Sequence, residues 1–189
     1  MSAPVAVVLA VVAVCALILF GRQAFAWRRF RGERVITCPD NQKPAGVVVD
    51  ARHAAATSAL GAPELRLSDC SRWPEKAGCG QPCLSQIAES PDGCLVRGML
   101  THWYEGKSCV FCGRPFDSVE WNVAKPALRR PNGVPVDWSQ IPAQELPDTL
   151  ATAQPVCFAC LTASLLVRER PDLVVDRSAA VGPAGSRPA

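Results

Sequence analysis

Residues 3–21 carry no charge, and Val, Ala, Leu and Ile fill most of the positions. At the α-helical rise such a run spans about 28 Å, close to the hydrocarbon thickness of a bilayer, and it predicts a transmembrane helix. A cleaved signal peptide has a shorter apolar region behind a positive start. Here the order is reversed, because no Lys or Arg precedes the run and Arg22, Arg28, Arg29, Arg31 and Arg34 follow it, against the single acid Glu33. A buried core helix is the third reading, and the basic edge argues against it. Arginine flanks favour the cytoplasmic side. The expected topology is a single pass through the cell membrane, with the amino end outside and the rest cytoplasmic. Phe25, Trp27 and Phe30 interleave with the arginines, so residues 22–34 read as a basic, aromatic juxtamembrane segment in contact with membrane lipid.

Beyond residue 34 the apolar runs shorten and change period. Val35–Cys38 and Gly46–Asp50 are β-like runs on either side of a polar turn, which predicts a hairpin. Asp50 suits the N-cap of an alanine-rich helix over 51–60 that stops at Gly61. Leu65–Ser68 alternates as a short strand does. Pro82–Glu89 reads as a helix, and a second helix starts at Pro91 or Asp92 and runs to Trp103 on an i, i+3, i+4 pattern. Asn132-Gly133 marks a tight turn between two further short strands. From Pro155 onward the chain reads as a helix that ends before Pro171. The fold class expected is α+β: a transmembrane helix, then a small irregular domain of two lobes, 35–104 and 105–176. Residues 177–189, rich in Ala, Gly, Pro and Ser, are expected to be a disordered tail.

Charge sharpens this picture. The chain has 20 basic and 17 acidic residues, a formal net charge of +3. Residues 22–34 hold five Arg and one Glu, which leaves 15 basic and 16 acidic residues elsewhere. The positive charge therefore belongs to the membrane edge. Nucleic acid is disfavoured as a partner, since a sequence-independent binder needs a basic face on the folded domain.

Chemistry enters with ten cysteines and 17 prolines. Frequent proline implies short elements, which a metal would help to stabilise. Cys109-Val-Phe-Cys112 and Cys157-Phe-Ala-Cys160 are two C-x-x-C doublets separated by 44 residues. In a reducing compartment such pairs hold metal more often than they form disulfides. Cys109-x-x-Cys112-Gly113 looks like a zinc knuckle, in which the glycine lets the chain turn away. Cys157 and Cys160 would lie on one face of the first turn of a helix, where the dipole stabilises thiolates. Disulfides or free thiols are the competing reading. A thioredoxin-like redox doublet would need a βαβ pattern that is not evident.

A knuckle, a hairpin and a helix-borne pair resemble the treble-clef class of zinc finger over residues 107–170. Zinc ribbons and rubredoxins use two glycine-bearing knuckles, whereas Leu161 follows the second doublet here. The resemblance implies a fold and a zinc ion held by Cys109, Cys112, Cys157 and Cys160, and it implies no particular activity.

In the first lobe Cys38, Cys70, Cys79 and Cys83 form a second candidate metal set, with Cys94 the alternative to Cys38. Two zinc ions are therefore expected. An iron–sulfur cluster is the rival occupant of the first-lobe set, and unpaired inert thiols are the plain alternative. Cys15 lies within the membrane run and reads as filler. His53 is expected on a helix surface, and His102 as a packing or hydrogen-bonding residue rather than a ligand. The pairs Asp117 with Glu120 and Asp172 with Asp176 read as solvated surface charge. Trp73, Trp103, Trp121 and Trp138 are expected to pack around the metal lobes.

No nucleophile elbow, phosphate loop, paired-carboxylate site or H-E-x-x-H motif occurs. The expectation is a membrane-anchored, cytosolic zinc domain that binds or scaffolds a protein partner. The alternative is a membrane-tethered redox protein, either an iron–sulfur electron carrier or a thiol oxidoreductase.

Overall fold

A computed structural model of the protein describes residues 3–73, 75–76, 78–116, 119, 121 and 125–171. The 177–189 tail and the pairs Asp117 with Glu120 and Asp172 with Asp176 lie outside the described residues. The fold mixes helix and sheet in two compact units. One comprises residues up to Trp103 together with Ile141–Ala151, and the other comprises Tyr104–Gln140 with the chain from Thr152 onward.

The first unit opens with α1 (Ala3–Phe30), longer than the apolar run because the helix continues through the arginine-rich stretch. Strands β1 (Glu33–Thr37) and β2 (Pro44–Val49) form the expected hairpin, and β3 (Leu67–Cys70) joins the far edge of β2 in an antiparallel sheet of order β1-β2-β3. Asp50 caps α2 (Ala51–Thr57) by accepting the His53 backbone N–H at 2.9 Å. The helix ends three residues before the expected Leu60, where the Ser58 and Thr57 hydroxyls turn back onto helix carbonyls. The later helices also begin later than expected, as α3 (Leu84–Glu89) and α4 (Val96–Tyr104).

Three successive residues are buried in β1 and again in β2, so the strict alternation of a half-solvated sheet is absent. One reason is a return of the chain that the proline-rich pattern hides. Residues 141–151, including a 3₁₀ turn over Ala143–Glu145 and α5 (Leu146–Thr152), come back to this unit and bury Ile141, Ala143, Leu146 and Leu150. Gly46 leaves the space for it: a Cβ there would stand 3.1 Å from the Ala143 Cβ. The core proper joins Ile36, Val47 and Val49 of the sheet to Ala26 and Phe30 of α1, Ala54 of α2 and Ile87 of α3.

Two arginines of the supposed membrane edge have structural partners. Arg22 donates to the Ser58 and Gly61 carbonyls just past α2, at 3.1 and 2.8 Å. Arg34 is fully buried, which corrects its assignment to the lipid-facing stretch. Its guanidinium donates to the carbonyls of Phe30 (2.7 Å), Gly32 (2.9 Å) and Arg29 (2.6 Å), and so closes the carboxyl end of α1. Those carbonyls have no partner within the helix, and a cation there also complements the helix dipole. Arg29 and Arg31 lie over the rings of Phe25 and Trp27.

In the second unit β4 (Ala127–Arg129) is the central strand, paired antiparallel with β5 (Pro135–Asp137) and β6 (Gln154–Val156). Gly133, at φ +82°, makes the turn between β4 and β5. Residues 154–156 are strand rather than the start of a helix. Pro155 is compatible with that because β6 lies at a sheet edge. Helix α6 (Phe158–Glu169) follows and ends before Pro171, as expected. Tyr104 anchors this unit: its buried hydroxyl donates to the Ala127 carbonyl at 2.7 Å and its ring packs on Phe116.

Arg34→Met keeps the side chain's bulk and removes the cap. It should destabilise the first unit by about 2–4 kcal/mol, the scale of losing charge-assisted hydrogen bonds that no water can replace. Thermal melting of the detergent-solubilised chain checks this, with Arg34→Lys recovering part of the loss.

Candidate metal centre

The sulfur atoms of Cys109, Cys112, Cys157 and Cys160 all lie within 4.8 Å of one another. Two structures bring them there. The first is a short ribbon, Lys107 to Phe116, bridged at Ser108 and Pro115. At its tip the Gly113 N–H bonds the Cys109 carbonyl at 2.8 Å, and Gly113 takes φ +70°, as the knuckle expectation requires. The second is the junction of β6 and α6, where Cys157 is the extended residue just before the helix and Cys160 sits in its first turn. The expected placement of both cysteines inside the first turn is thus corrected by one residue, because β6 must finish its pairing with β4 before the helix begins. The Val110 N–H bonds the Pro155 carbonyl at 3.0 Å and ties the two structures together.

The spacing matches a tetrahedral ion. Four sulfurs at the zinc–thiolate distance of about 2.3 Å sit about 3.8 Å apart along each edge. Cys112 and Cys157 are 3.7 Å apart. All four thiols are unbridged. Their surroundings favour charge on one member: burial alone would raise the Cys109 thiol, but backbone N–H groups of Cys157, Cys112 and Phe111 outweigh it and lower its pKa to about 6. The Cys157 N–H reaches that sulfur at 3.3 Å. Cys160 is pushed the other way, to about 12, by desolvation first and then by its hydrogen bonds to the three neighbouring sulfurs. Cys157 is also raised, chiefly by burial. One anion is welcome here without a cation, and further anions need one. A divalent ion removes that conflict, so the residues present fit zinc.

Other expected site residues fall elsewhere. Cys38, Cys70, Cys79 and Cys83 belong to the first unit and line a common cavity with Arg72 and Trp73. Among the described residues no second group of three or more candidate ligands draws as close as the 109–160 set. Cys79 lies in irregular chain before α3, not on a helix edge with Cys83. Cys94 bonds through its sulfur to the Gln86 carbonyl at 3.8 Å and does not line the cavity. His102 lies on α4 and is not a member of the four-thiol group, and His53 pairs with Glu64 at 3.5 Å. Trp73 packs on the first-unit core, the Trp103 indole donates to Leu150, and Trp121 meets Trp138 edge-on. Arg72, whose Nη1 lies 3.1 Å from the Cys38 sulfur, is the neighbour that spacing arguments miss, since only its position two residues after Cys70 hints at it.

Cys112→Ser or Cys157→Ser should abolish zinc retention at this cluster. A thiolate site contributes on the order of 10 kcal/mol that is realised only in the folded state. Both variants should therefore open residues 107–170 to rapid proteolysis, while Cys15→Ser leaves them resistant. Zinc occupancy should fall as pH drops, since protons compete with the ion for Cys157 and Cys160, whose raised pKa values mark tightly held protons. A metal-release titration from pH 8 downward checks the direction. Comparison of the chain with known protein families, with curated proteins and with solved structures finds no match, so the site stands on its own geometry.

Proposed function

We propose that this chain is a single-pass membrane protein whose cytosolic portion is a zinc-structured binding or scaffolding module, with a treble-clef-like second unit. The observation that carries the reading is the closed cluster of four sulfurs. A tetrahedral ion held by four thiolates has no position left for water or substrate, so its role is structural. The sequence of knuckle, hairpin and helix in the second unit supports the treble-clef assignment.

The membrane anchor rests on α1. It is long and apolar enough to cross a bilayer, and none of its most apolar window is buried. A helix that is apolar on every side needs lipid or a protein interior around it. The same helix runs without a break to Phe30, which is part of the first unit's core. Cleavage as a signal sequence would cut an element that the fold uses. The arginines beyond the span support the orientation with the amino end outside. Apolar side chains beside the metal cluster support a protein partner: Val110, Phe111 and Phe158 stand 40–49% exposed.

The test is purification of the full chain in detergent without air, with metals and the visible spectrum measured together. Zinc in a colourless protein is expected. Stoichiometric iron with a reducible chromophore at the 109–160 cluster would replace this reading with the redox one. A reporter fused after Ala189 should be active in the cytosol, and labelling of the soluble cysteines by an impermeant thiol reagent in intact cells would invert the topology. Partner binding should be lost in Phe111→Asp at unchanged zinc content.

A further inference from the structure

Of the six thiols in the first unit, four come from separate places in the chain to one cavity. Cys38 follows β1, Cys70 is the last residue of β3, Cys79 lies in the irregular chain beyond it, and Cys83 directly precedes α3. All four line one small, largely enclosed cavity of about 30 Å³. Ile36, Leu67 and Trp73 are among its other walls, and apart from the sulfurs its polar lining is a group of three charged residues, Asp40, Arg72 and Lys76.

That group is ordered. Arg72 donates through Nη1 to the Cys38 sulfur at 3.1 Å and pairs with Asp40 at 3.3 Å, and Lys76 also pairs with Asp40. Two cations against one carboxylate leave an excess of positive charge facing four thiols. A thiol needs no such neighbour, whereas a thiolate does. Four thiolates on a divalent ion carry more negative charge than the ion neutralises, and an outer donor that bonds a ligand sulfur offsets part of the remainder.

We propose that Cys38, Cys70, Cys79 and Cys83 form a second, mononuclear site for a thiophilic divalent cation of the zinc class, with Arg72 as its outer hydrogen-bond donor. Four thiolates from one chain fill the coordination sphere of a single tetrahedral ion. The donor set is all sulfur, which selects zinc-class ions over oxygen-seeking magnesium or calcium. Coordination draws the sulfurs inward across the cavity and cross-links both edges of the sheet to α3. The site is independent of the second-unit cluster, because it shares no residue with it.

The test uses the full chain in detergent, loaded with zinc and alkylated before and after a chelator is added, with each cysteine read by peptide mass spectrometry. Cys38, Cys70, Cys79 and Cys83 should be protected until the chelator is present, and labelling of Cys94 should not respond to it. Metal analysis should find two ions per chain, falling to one in Cys79→Ser and, separately, to one in Cys112→Ser. Arg72→Met should keep the ion and weaken its retention by about 10–100-fold without affecting the second-unit ion. A wild-type chain with one ion, lost in Cys112→Ser, and with first-unit alkylation indifferent to the chelator would overturn this site and leave the second-unit reading intact. Iron with visible absorption that disappears in Cys79→Ser would also overturn it, in favour of a cluster. The alkylation arm needs no substitution, so a poorly folded Cys79→Ser variant does not decide the outcome.

Discussion

Four sulfur atoms cannot all be anions within 4.8 Å of each other unless a cation sits among them, and the second unit is arranged around that constraint. The cluster there buries Ala127, Val156 and Leu161 together with Cys109 and Cys157 themselves, so the ligands are part of the core. Backbone N–H groups around Cys109 already favour one thiolate, while Cys160 resists ionisation. The polypeptide thus favours one thiolate by itself, and a cation bound among the four sulfurs would stabilise the others.

The first unit meets a different constraint, which is how to end a long apolar helix and attach it to a small sheet. Small residues on α1 and α2, Ala26 and Ala54, are fully packed in the shared core. Arg34 then absorbs the carbonyls left over at the end of α1, and Arg22 does the same beyond α2. A helix held in this way is joined rigidly to the folded unit rather than through a loose tether. For a membrane-anchored module, such a joint would transmit the orientation of the span to the domain. Residues 141–151 add to the rigidity by returning across β2 at Gly46.

Much of this was legible in local pattern. The apolar helix, the hairpin around residues 38–43, the Asp50 cap, the Asn132-Gly133 turn and the second-unit thiol cluster all follow from interactions between residues close in the chain, or from a cysteine spacing that chemistry restricts. The 157–160 doublet illustrates the limit. Its spacing picked out two of the four clustered thiols, but Cys157 sits before the helix because β6 pairs with β4, and β4 lies some 25 residues earlier. The start of a helix can be read from its caps; the strand that delays it cannot.

What the sequence determined by itself was therefore the set of elements governed by short-range chemistry: a bilayer-length apolar run, turn residues, caps and thiol doublets. Tertiary structure alone decided where the long-range partners went. Five arginines after an apolar run read as one basic edge, yet Arg34 is buried against three carbonyls and Arg22, still exposed, donates to two. A guanidinium's charge is written in the sequence, but the acceptors it meets are set by packing. The same holds for Cys38 and Cys94, which the sequence left as first choice and alternative. Their distance along the chain from Cys79 says nothing of the cavity that admits the first and excludes the second. The pairing of the β1–β2 hairpin with β3 is what brings Cys38 and Cys70 to that cavity.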